Sequence, residues 1–177
     1  MATIVRDLRS FCRPNSKTLR PVDLRQVLES AINMAMNELK DRARIVRDYS
    51  PVPAVVADGA RLGQVFLNLL LNAAQAISET ASSQGENEVR VTLRPDGDRI
   101  RVEITDSGHG IAPDIIGRVF EPFFTTKPVG IGTGLGLSIS QTIVTSMQGE
   151  LTVQSEPGRG ATFAVLLPLP QAAAVGW

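Results

Sequence analysis

The 177-residue chain is 43% hydrophobic and 20% charged, and its 18 lysines and arginines balance 18 aspartates and glutamates. This neutral balance indicates neither a nucleic-acid-binding surface nor an acidic tail, and no apolar run is long enough to span a bilayer. One histidine and one cysteine, Cys12, exclude a zinc site of the Cys/His type and an internal disulfide within this chain. Composition therefore predicts one compact domain in a reducing, cytoplasmic compartment, without a leader peptide.

Apolar residues that recur every three or four positions predict four helices. In chain order these helices cover about residues 4–13, 23–41, 58–78 and 135–147. Alternating or β-branched runs predict strands between them. In chain order the strands cover residues 43–48, 54–57, 89–93, 100–104, 150–155 and 161–167.

The order of these elements does not alternate strictly, which favours an α/β two-layer sandwich. We expect a mixed, largely antiparallel sheet of about five strands with three main helices on one face. The stretch between residues 106 and 136 is rich in glycine and far longer than a usual connection, so we expect it to form a lid over a site. Residues 15–22 read as a polar linker, and residues 170–177 as a disordered tail without pattern.

Asn68 and Asn72 lie four residues apart in the third predicted helix, on its otherwise apolar stripe. An amide carbonyl is a neutral oxygen ligand, suited to Mg²⁺ whose remaining ligands are phosphates and water. Taken alone, two buried asparagines that only satisfy backbone groups explain the pair equally well.

Four glycines alternate directly before the last predicted helix, at Gly130, Gly132, Gly134 and Gly136. Small residues at a helix N-terminus expose backbone N–H groups and the positive end of the helix dipole, which together suit an anion. The spacing differs from that of a P-loop and of a dinucleotide fingerprint. A flexible loop without a ligand is the alternative.

Asp106 lies at the end of a predicted strand, before a tight turn that contains Gly108 and Gly110. Its carboxylate can accept a hydrogen bond from an exocyclic amine, and the glycines let the backbone approach a flat base. In isolation, an ordinary β-turn aspartate is the simpler explanation.

Five motifs in this order resemble those of the ATP-binding catalytic domains of bacterial two-component sensor histidine kinases. These domains share the Bergerat (GHKL) fold with gyrase-type topoisomerases, mismatch-repair ATPases and a heat-shock chaperone. The motifs are the N box (64–73), the first glycine box (106–111), the F box (120–127), the second glycine box (132–137) and the terminal hairpin (158–163). The F box separates the kinases from the other branches.

The resemblance implies a role for each matching residue. Asp106 would bind the adenine amino group, and Asn72 would coordinate Mg²⁺ at the phosphates, with Asn68 as a second polar contact. Lys127 would bring a positive charge to the γ-phosphate. The other residues implied to contact ATP are Gly108, Gly110, Ile111, Phe120, Gly132, Thr133, Gly134, Leu135, Gly136, Leu137 and Thr162.

Asn68 also bears on the type of reaction. At the position that matches Asn68, the topoisomerase and mismatch-repair branches have a glutamate that activates water. Asparagine cannot act as a general base in this way. Slow hydrolysis and phosphoryl transfer to an external acceptor are therefore expected. Ala161 and Ala76 depart from the family, because many relatives place a hydroxyl residue and an aromatic residue there against adenine. These departures would weaken nucleotide affinity.

The phosphoacceptor is expected elsewhere. His109, the single histidine, lies inside the glycine turn and not on a helix. Residues 4–13 resemble the end of the second dimerisation helix of sensor kinases, so we interpret residues 1–14 as its remnant and residues 23–169 as the catalytic domain. The expected partners are a histidine-bearing dimerisation hairpin and a response-regulator receiver domain.

We therefore expect a Mg-ATP-dependent kinase domain that donates the γ-phosphoryl group to a histidine outside this chain. The chain itself would be monomeric, without nucleic-acid or membrane contact, within a homodimeric parent that is soluble or membrane-anchored. Two alternatives are a serine/threonine kinase of the anti-sigma type, against which the complete F box argues, and a nucleotide-binding pseudokinase that serves as an interaction module.

Overall fold

The fold was analysed in a computed structural model, which describes residues 19–78, 87–126 and 133–170. The helices in this part of the chain are α1 (Leu24–Leu39), α2 (Gly59–Ser78) and α3 (Gly136–Thr145), with a 3₁₀ turn at Ile116–Arg118. The strands are β1 (Arg20–Val22), β2 (Arg44–Tyr49), β3 (Val55–Ala57), β4 (Glu88–Asp96), β5 (Arg99–Asp106), β6 (Glu150–Ser155) and β7 (Ala161–Pro168). The predicted helix at residues 4–13, Cys12 and residues 171–177 of the tail lie outside the described residues.

The main sheet has five strands in the order β2-β4-β5-β7-β6. β2 pairs with β4 in parallel, and every other neighbouring pair is antiparallel. This confirms the predicted mixed, largely antiparallel sheet. β1 and β3 form a separate two-stranded antiparallel sheet. Residues 20–22, which the sequence placed in a linker, thus form a strand.

Strand β5 shows how the sheet separates its two faces. The buried side chains of Ile100, Val102 and Ile104 alternate with more exposed residues such as Arg101 and Glu103, which form an ion pair at 3.4 Å. Side chains of a strand point alternately to the two faces. The helices therefore cover the apolar face and leave the opposite face open, which confirms the predicted two-layer sandwich.

Helix α2 is the central helix of the covering layer, because it contacts α1, α3 and the strands β4 and β5. Its buried apolar side chains are Leu62, Val65, Phe66, Leu69, Leu70, Ala73, Ala74 and Ile77. Asn68 and Asn72 lie on a partly buried side of the same helix. The hydrophobic core thus fixes the direction in which these two amides point.

Aspartate side chains cap the N-termini of α1 and α2. Asp23 accepts a hydrogen bond from the backbone N–H of Arg25 at 2.9 Å, and Asp58 accepts from the N–H groups of Ala60 and Arg61, both at 3.1 Å. These bonds satisfy N–H groups that have no partner inside the helix. None of the helices in the described ranges is both long and apolar enough to cross a membrane.

Candidate functional site

Asp106 ends β5 with a buried side chain, 4% exposed. Its carboxylate accepts a hydrogen bond from the backbone N–H of Gly108 at 2.8 Å, and the N–H of Ala161 also donates to it. Burial raises the pKa of Asp106 above its ordinary value, and the two backbone donors act in the opposite direction. Few acidic side chains are buried to this extent, and those that are often belong to a binding or catalytic site.

The first glycine box packs against the C-terminal end of α2. A β-carbon at Gly108 would lie 2.7 Å from the backbone carbonyl carbon of Ala76, so only glycine fits there. The N–H of His109 donates to the carbonyl of Ala76 at 3.4 Å. Gly108 and His109 therefore pack on α2 at one end of what we call the cleft, the surface along α2 from Ala76 to Asn68. Gly110 packs instead against the backbone of Glu156 and Gly160.

The terminal hairpin closes the other side of this end of the cleft. The backbone N–H of Ile111 donates to Oγ of Ser155 at 2.8 Å, and that hydroxyl donates to the carbonyl of Gly160 at 2.6 Å. The N–H of Gly158 donates to the carbonyl of His109 at 2.8 Å. The first glycine box is consequently held between α2 and the β6–β7 turn.

The second end of the cleft lies where α2 meets α3. Nδ2 of Asn68 donates to Oγ of Ser140 at 3.1 Å, and a β-carbon at Gly136 would lie 2.5 Å from Oδ1 of Asn68. Leu135, the N-cap residue of α3, makes no capping hydrogen bond through its side chain. The positive end of the helix dipole is thus next to the Asn68 amide, in an arrangement suited to an anion.

The F box is joined to the second glycine box. The N–H of Phe123 donates to the carbonyl of Gly134 at 2.9 Å, and both residues have a φ of +66°. The ring of Phe120 packs edge-on against that of Phe163, with centroids 6.5 Å apart. Oγ1 of Thr133 accepts the N–H of Leu135 at 3.3 Å. The first and third of these contacts lie within the segment 106–136 that the sequence predicts to be a lid, and the first joins the F box to the residues before α3.

Among the described residues, Thr162 is a predicted nucleotide contact whose side chain points away from Asp106. Its Oγ1 lies 3.0 Å from that of Thr105, opposite which it stands in the β5–β7 register, and both side chains lie on the open face. Successive strand residues face opposite ways, so Ala161 lies on the side of Asp106 instead. The sequence signal for this was the polar Thr162 between the apolar Ala161 and Phe163, which the motif assignment did not use.

The remaining predicted residues fall into two groups. Ile111, Phe120, Leu135 and Leu137 are partly buried and pack against the hydrophobic core beside the cleft. Lys127 and Gly132 lie outside the described residues. Sequence reasoning missed Ser140, whose contact with Asn68 joins residues 72 positions apart and leaves no local pattern.

The described residues contain no group of three or more His, Cys, Asp or Glu side chains that could hold a metal ion. A metal at this cleft would therefore need ligands from a bound molecule in addition to protein oxygens. The amide oxygens of Asn68 and Asn72 fit that requirement, because Mg²⁺ keeps water and phosphate ligands when few protein oxygens are present.

Comparison with known proteins agrees with this geometry. The family of histidine kinase-, DNA gyrase B- and HSP90-like ATPases matches residues 57–171. The chain therefore belongs to this ATPase family, and within it to the ATP-binding catalytic domains of sensor histidine kinases.

Two solved structures are similar to the chain. The mycobacterial sensor histidine kinase MprB is 31% identical, with a TM-score of 0.70 over 87% of this chain and 100% of that one. Full-length ShkA in complex with AMPPNP is 32% identical, with a TM-score of 0.76 over 97% of this chain and 35% of that one.

Curated relatives include the sensor histidine kinase ZraS of Escherichia coli K12, which is 35% identical over 168 residues. The two-component sensor PprA of Pseudomonas aeruginosa is 37% identical over 177 residues. The chain spans only 34% of ZraS and 19% of PprA.

Proposed function

We propose that this chain binds Mg-ATP in the cleft along α2 and donates the γ-phosphoryl group to a histidine on a helical hairpin, as part of two-component signal transduction. The observation that carries the proposal is the spacing of the two ends of the cleft. The Asp106 end meets α2 at Ala76, and the α3 end meets α2 at Asn68. Eight residues of helix separate them, about 12 Å at about 1.5 Å per residue. A single ligand with a base at one end and phosphates at the other could therefore lie along α2 and reach both ends.

The chemistry of each end matches one end of that ligand. The buried Asp106 carboxylate, together with the nearby backbone, suits an exocyclic amine on a flat base. The N-terminus of α3 suits phosphates. Asn72 lies between the two ends and would hold the magnesium ion through its amide oxygen, and the bound metal would neutralise charge on the phosphates.

Phosphoryl transfer is favoured over rapid hydrolysis because the α2 residue nearest the phosphate end is an amide. Asn68 has no basic group, and one hydrogen of its Nδ2 is directed to Ser140. The residues of this chain would therefore hold the nucleotide in the orientation that transfer requires. The acceptor histidine would attack the γ-phosphorus in line with the bond to the leaving ADP. The role of Lys127 at the γ-phosphate stays a prediction from the resemblance.

The partners follow from the same proposal. Relatives named as sensor histidine kinases are about three times or more as long as the matched region. We infer that residues 1–14 continue a dimerisation helix whose hairpin carries the acceptor histidine. A receiver domain would then take the phosphoryl group. The parent protein would be a homodimer that works in the cytoplasm, where ATP is available.

Titration calorimetry with ADP and AMPPNP, with and without Mg²⁺, tests the proposal. We expect the wild type to bind both nucleotides more tightly with Mg²⁺. Asn72→Ala should lose this gain and keep the metal-free affinity, because the base and backbone contacts are unchanged. Asn37→Ala, which removes an exposed amide from α1, is the matched control and should behave as wild type. Metal-independent binding by the wild type would favour a pseudokinase and contradict the assigned role of Asn72.

A further inference from the structure

The junction between α2 and α3 contains the buried hydroxyl of Ser140, which is not among the proposed nucleotide contacts. Ser140 is 2% exposed, and its Oγ accepts the hydrogen bond from Nδ2 of Asn68 at 3.1 Å. Ser140 follows Gly136 by four residues, so the two face α2 from consecutive turns of α3. A buried polar group costs free energy unless it is paired. Ser140 and Asn68 therefore depend on each other in the folded protein.

This hydrogen bond decides which end of the Asn68 amide faces the cleft. With Nδ2 directed to Ser140, Oδ1 is directed to the first turn of α3, at the position where a β-carbon of Gly136 would lie 2.5 Å away. The terminal torsion of asparagine has broad, shallow minima, so the amide plane is poorly fixed without a partner. Loss of the Ser140 hydroxyl would let the oxygen and nitrogen of the amide exchange places.

We propose that Ser140 is a positioning residue of the nucleotide site, whose hydroxyl fixes Asn68 with its carbonyl oxygen toward the phosphate end of the cleft. The inference rests on the proposed binding of Mg-ATP. A fixed carbonyl oxygen can coordinate a metal ion or accept a hydrogen bond from water bound to that ion. An amide NH₂ group in the same place can do neither. Ser140 should therefore affect the magnesium-dependent part of nucleotide binding and leave recognition of adenosine unchanged.

The first test needs no nucleotide. In the wild-type protein, the Asn68 side-chain amide should exchange its hydrogens with water slowly, as measured by NMR. Ser140→Ala should shift that amide resonance and speed its exchange about five- to tenfold, because one hydrogen bond is lost. Ser146→Ala is the matched control, since it removes a hydroxyl from the other end of the same helix, where Oγ donates to the carbonyl of Ile143 at 2.7 Å. An unchanged Asn68 resonance in Ser140→Ala would overturn the inference without touching the proposed function.

The second test is calorimetry with Mg-ADP, metal-free ADP and adenosine. Ser140→Ala should weaken Mg-ADP binding about three- to tenfold, the effect of one hydrogen bond, and change adenosine binding by less than about twofold. In an Asn68→Ala background the same substitution should have no further effect, because Ser140 acts through Asn68. Equal weakening of all three ligands, or additive effects in the double variant, would overturn the inference. A wild type that binds no nucleotide would instead overturn the proposed function.

A pair of isosteric variants keeps the test decisive if the alanine variant does not fold. Ser140→Thr retains the hydroxyl and Ser140→Val has the same shape without it, so any strain from the added methyl group is common to both. We expect the threonine variant to keep the Mg²⁺-dependent gain in affinity and the valine variant to lose it. Equal Mg²⁺-dependent gains in the two variants would contradict the positioning role.

Discussion

Asp106 illustrates at the scale of one residue how a binding site lowers the stability of the fold. Its ionised carboxylate is buried and is stabilised by the N–H groups of Gly108 and Ala161. Because burial raises its pKa, the folded state binds a proton more tightly than the unfolded chain does. The free energy of unfolding therefore falls as pH rises from the ordinary value of 3.8 through the raised pKa. Asp106 therefore lowers the stability of the fold more at high pH than at low pH.

The variant Asp106→Asn should separate stability from binding. Its amide oxygen still accepts the N–H of Gly108 and carries no charge, so we expect unfolding at about pH 7 to need at least as much urea as wild type. This advantage should shrink as the pH falls toward the ordinary value of 3.8, because the raised pKa lets folded wild-type Asp106 take up its proton above that value. Nucleotide affinity should fall about tenfold or more, because a charge-assisted hydrogen bond to the base is lost.

Urea denaturation at both pH values and calorimetry with ADP measure these effects. Asp98→Asn, an exposed change in the β4–β5 hairpin, is the control for nucleotide affinity and should leave it as in wild type. A variant that is less stable at neutral pH and still binds ADP normally would show that Asp106 is only a structural residue.

At the scale of elements, the F box and the second glycine box behave as one unit. Phe123 has a left-handed backbone and an exposed ring, and its N–H donates to the carbonyl of Gly134. A non-glycine residue in this region costs about 1–3 kcal/mol, which surrounding contacts must offset. Gly134 supplies them, since it also has positive φ and packs directly against the Phe123 backbone. The start of α3 is thereby fixed relative to the F box.

Gly134→Ala should disrupt this unit. The new β-carbon would collide with the Phe123 backbone in addition to the cost of positive φ, so we expect a loss of about 2–3 kcal/mol in the free energy of unfolding and weaker nucleotide binding. Gly97→Ala is the matched control, because its φ is +61° and no atom lies within 4 Å of the new β-carbon. It should cost only about 1 kcal/mol and leave binding unchanged. Similar losses of stability in the two variants, measured by urea denaturation, would argue against a special role for the Phe123–Gly134 contact.

The elements also show what the sequence could not indicate. Helical periodicity and strand alternation were strong enough to locate α1, α2, α3 and the strands of the main sheet. β1 was missed because its three residues include a proline and cannot show alternation. The pairing of β2 with β4 in parallel depends on contacts between distant segments, so local pattern cannot reveal it.

For the candidate site, the sequence indicated the local motifs but not the contacts between distant segments. Motif spacing identified Asp106, Asn68 and the glycine boxes, because each motif is local. The Asn68–Ser140 hydrogen bond could not be predicted, since it exists only after α2 and α3 pack. The direction of the Thr162 side chain could have been predicted from its position between the apolar Ala161 and Phe163, and the resemblance to a motif was followed instead.

At the scale of the whole molecule, the proposed function has the chain bind nucleotide and places the phosphoacceptor outside it. His109, its one histidine, lies in the first glycine box, where its Nδ1 is 2.6 Å from the carbonyl of Gly110. With γ-labelled ATP, we expect no label on this chain alone. Label should appear on a histidine-bearing hairpin of a related sensor kinase when it is added. Stoichiometric labelling of His109 would contradict the assignment of an external acceptor.

The most direct measurement is a crystal structure of this chain with AMPPNP and Mg²⁺. We predict that the adenine amino group is within hydrogen-bond distance of the Asp106 carboxylate. The phosphates should lie at the N-terminus of α3, beside Gly136, with the metal ion near Asn72. A nucleotide that occupies another surface, or whose base and phosphates are reversed along α2, would contradict the account.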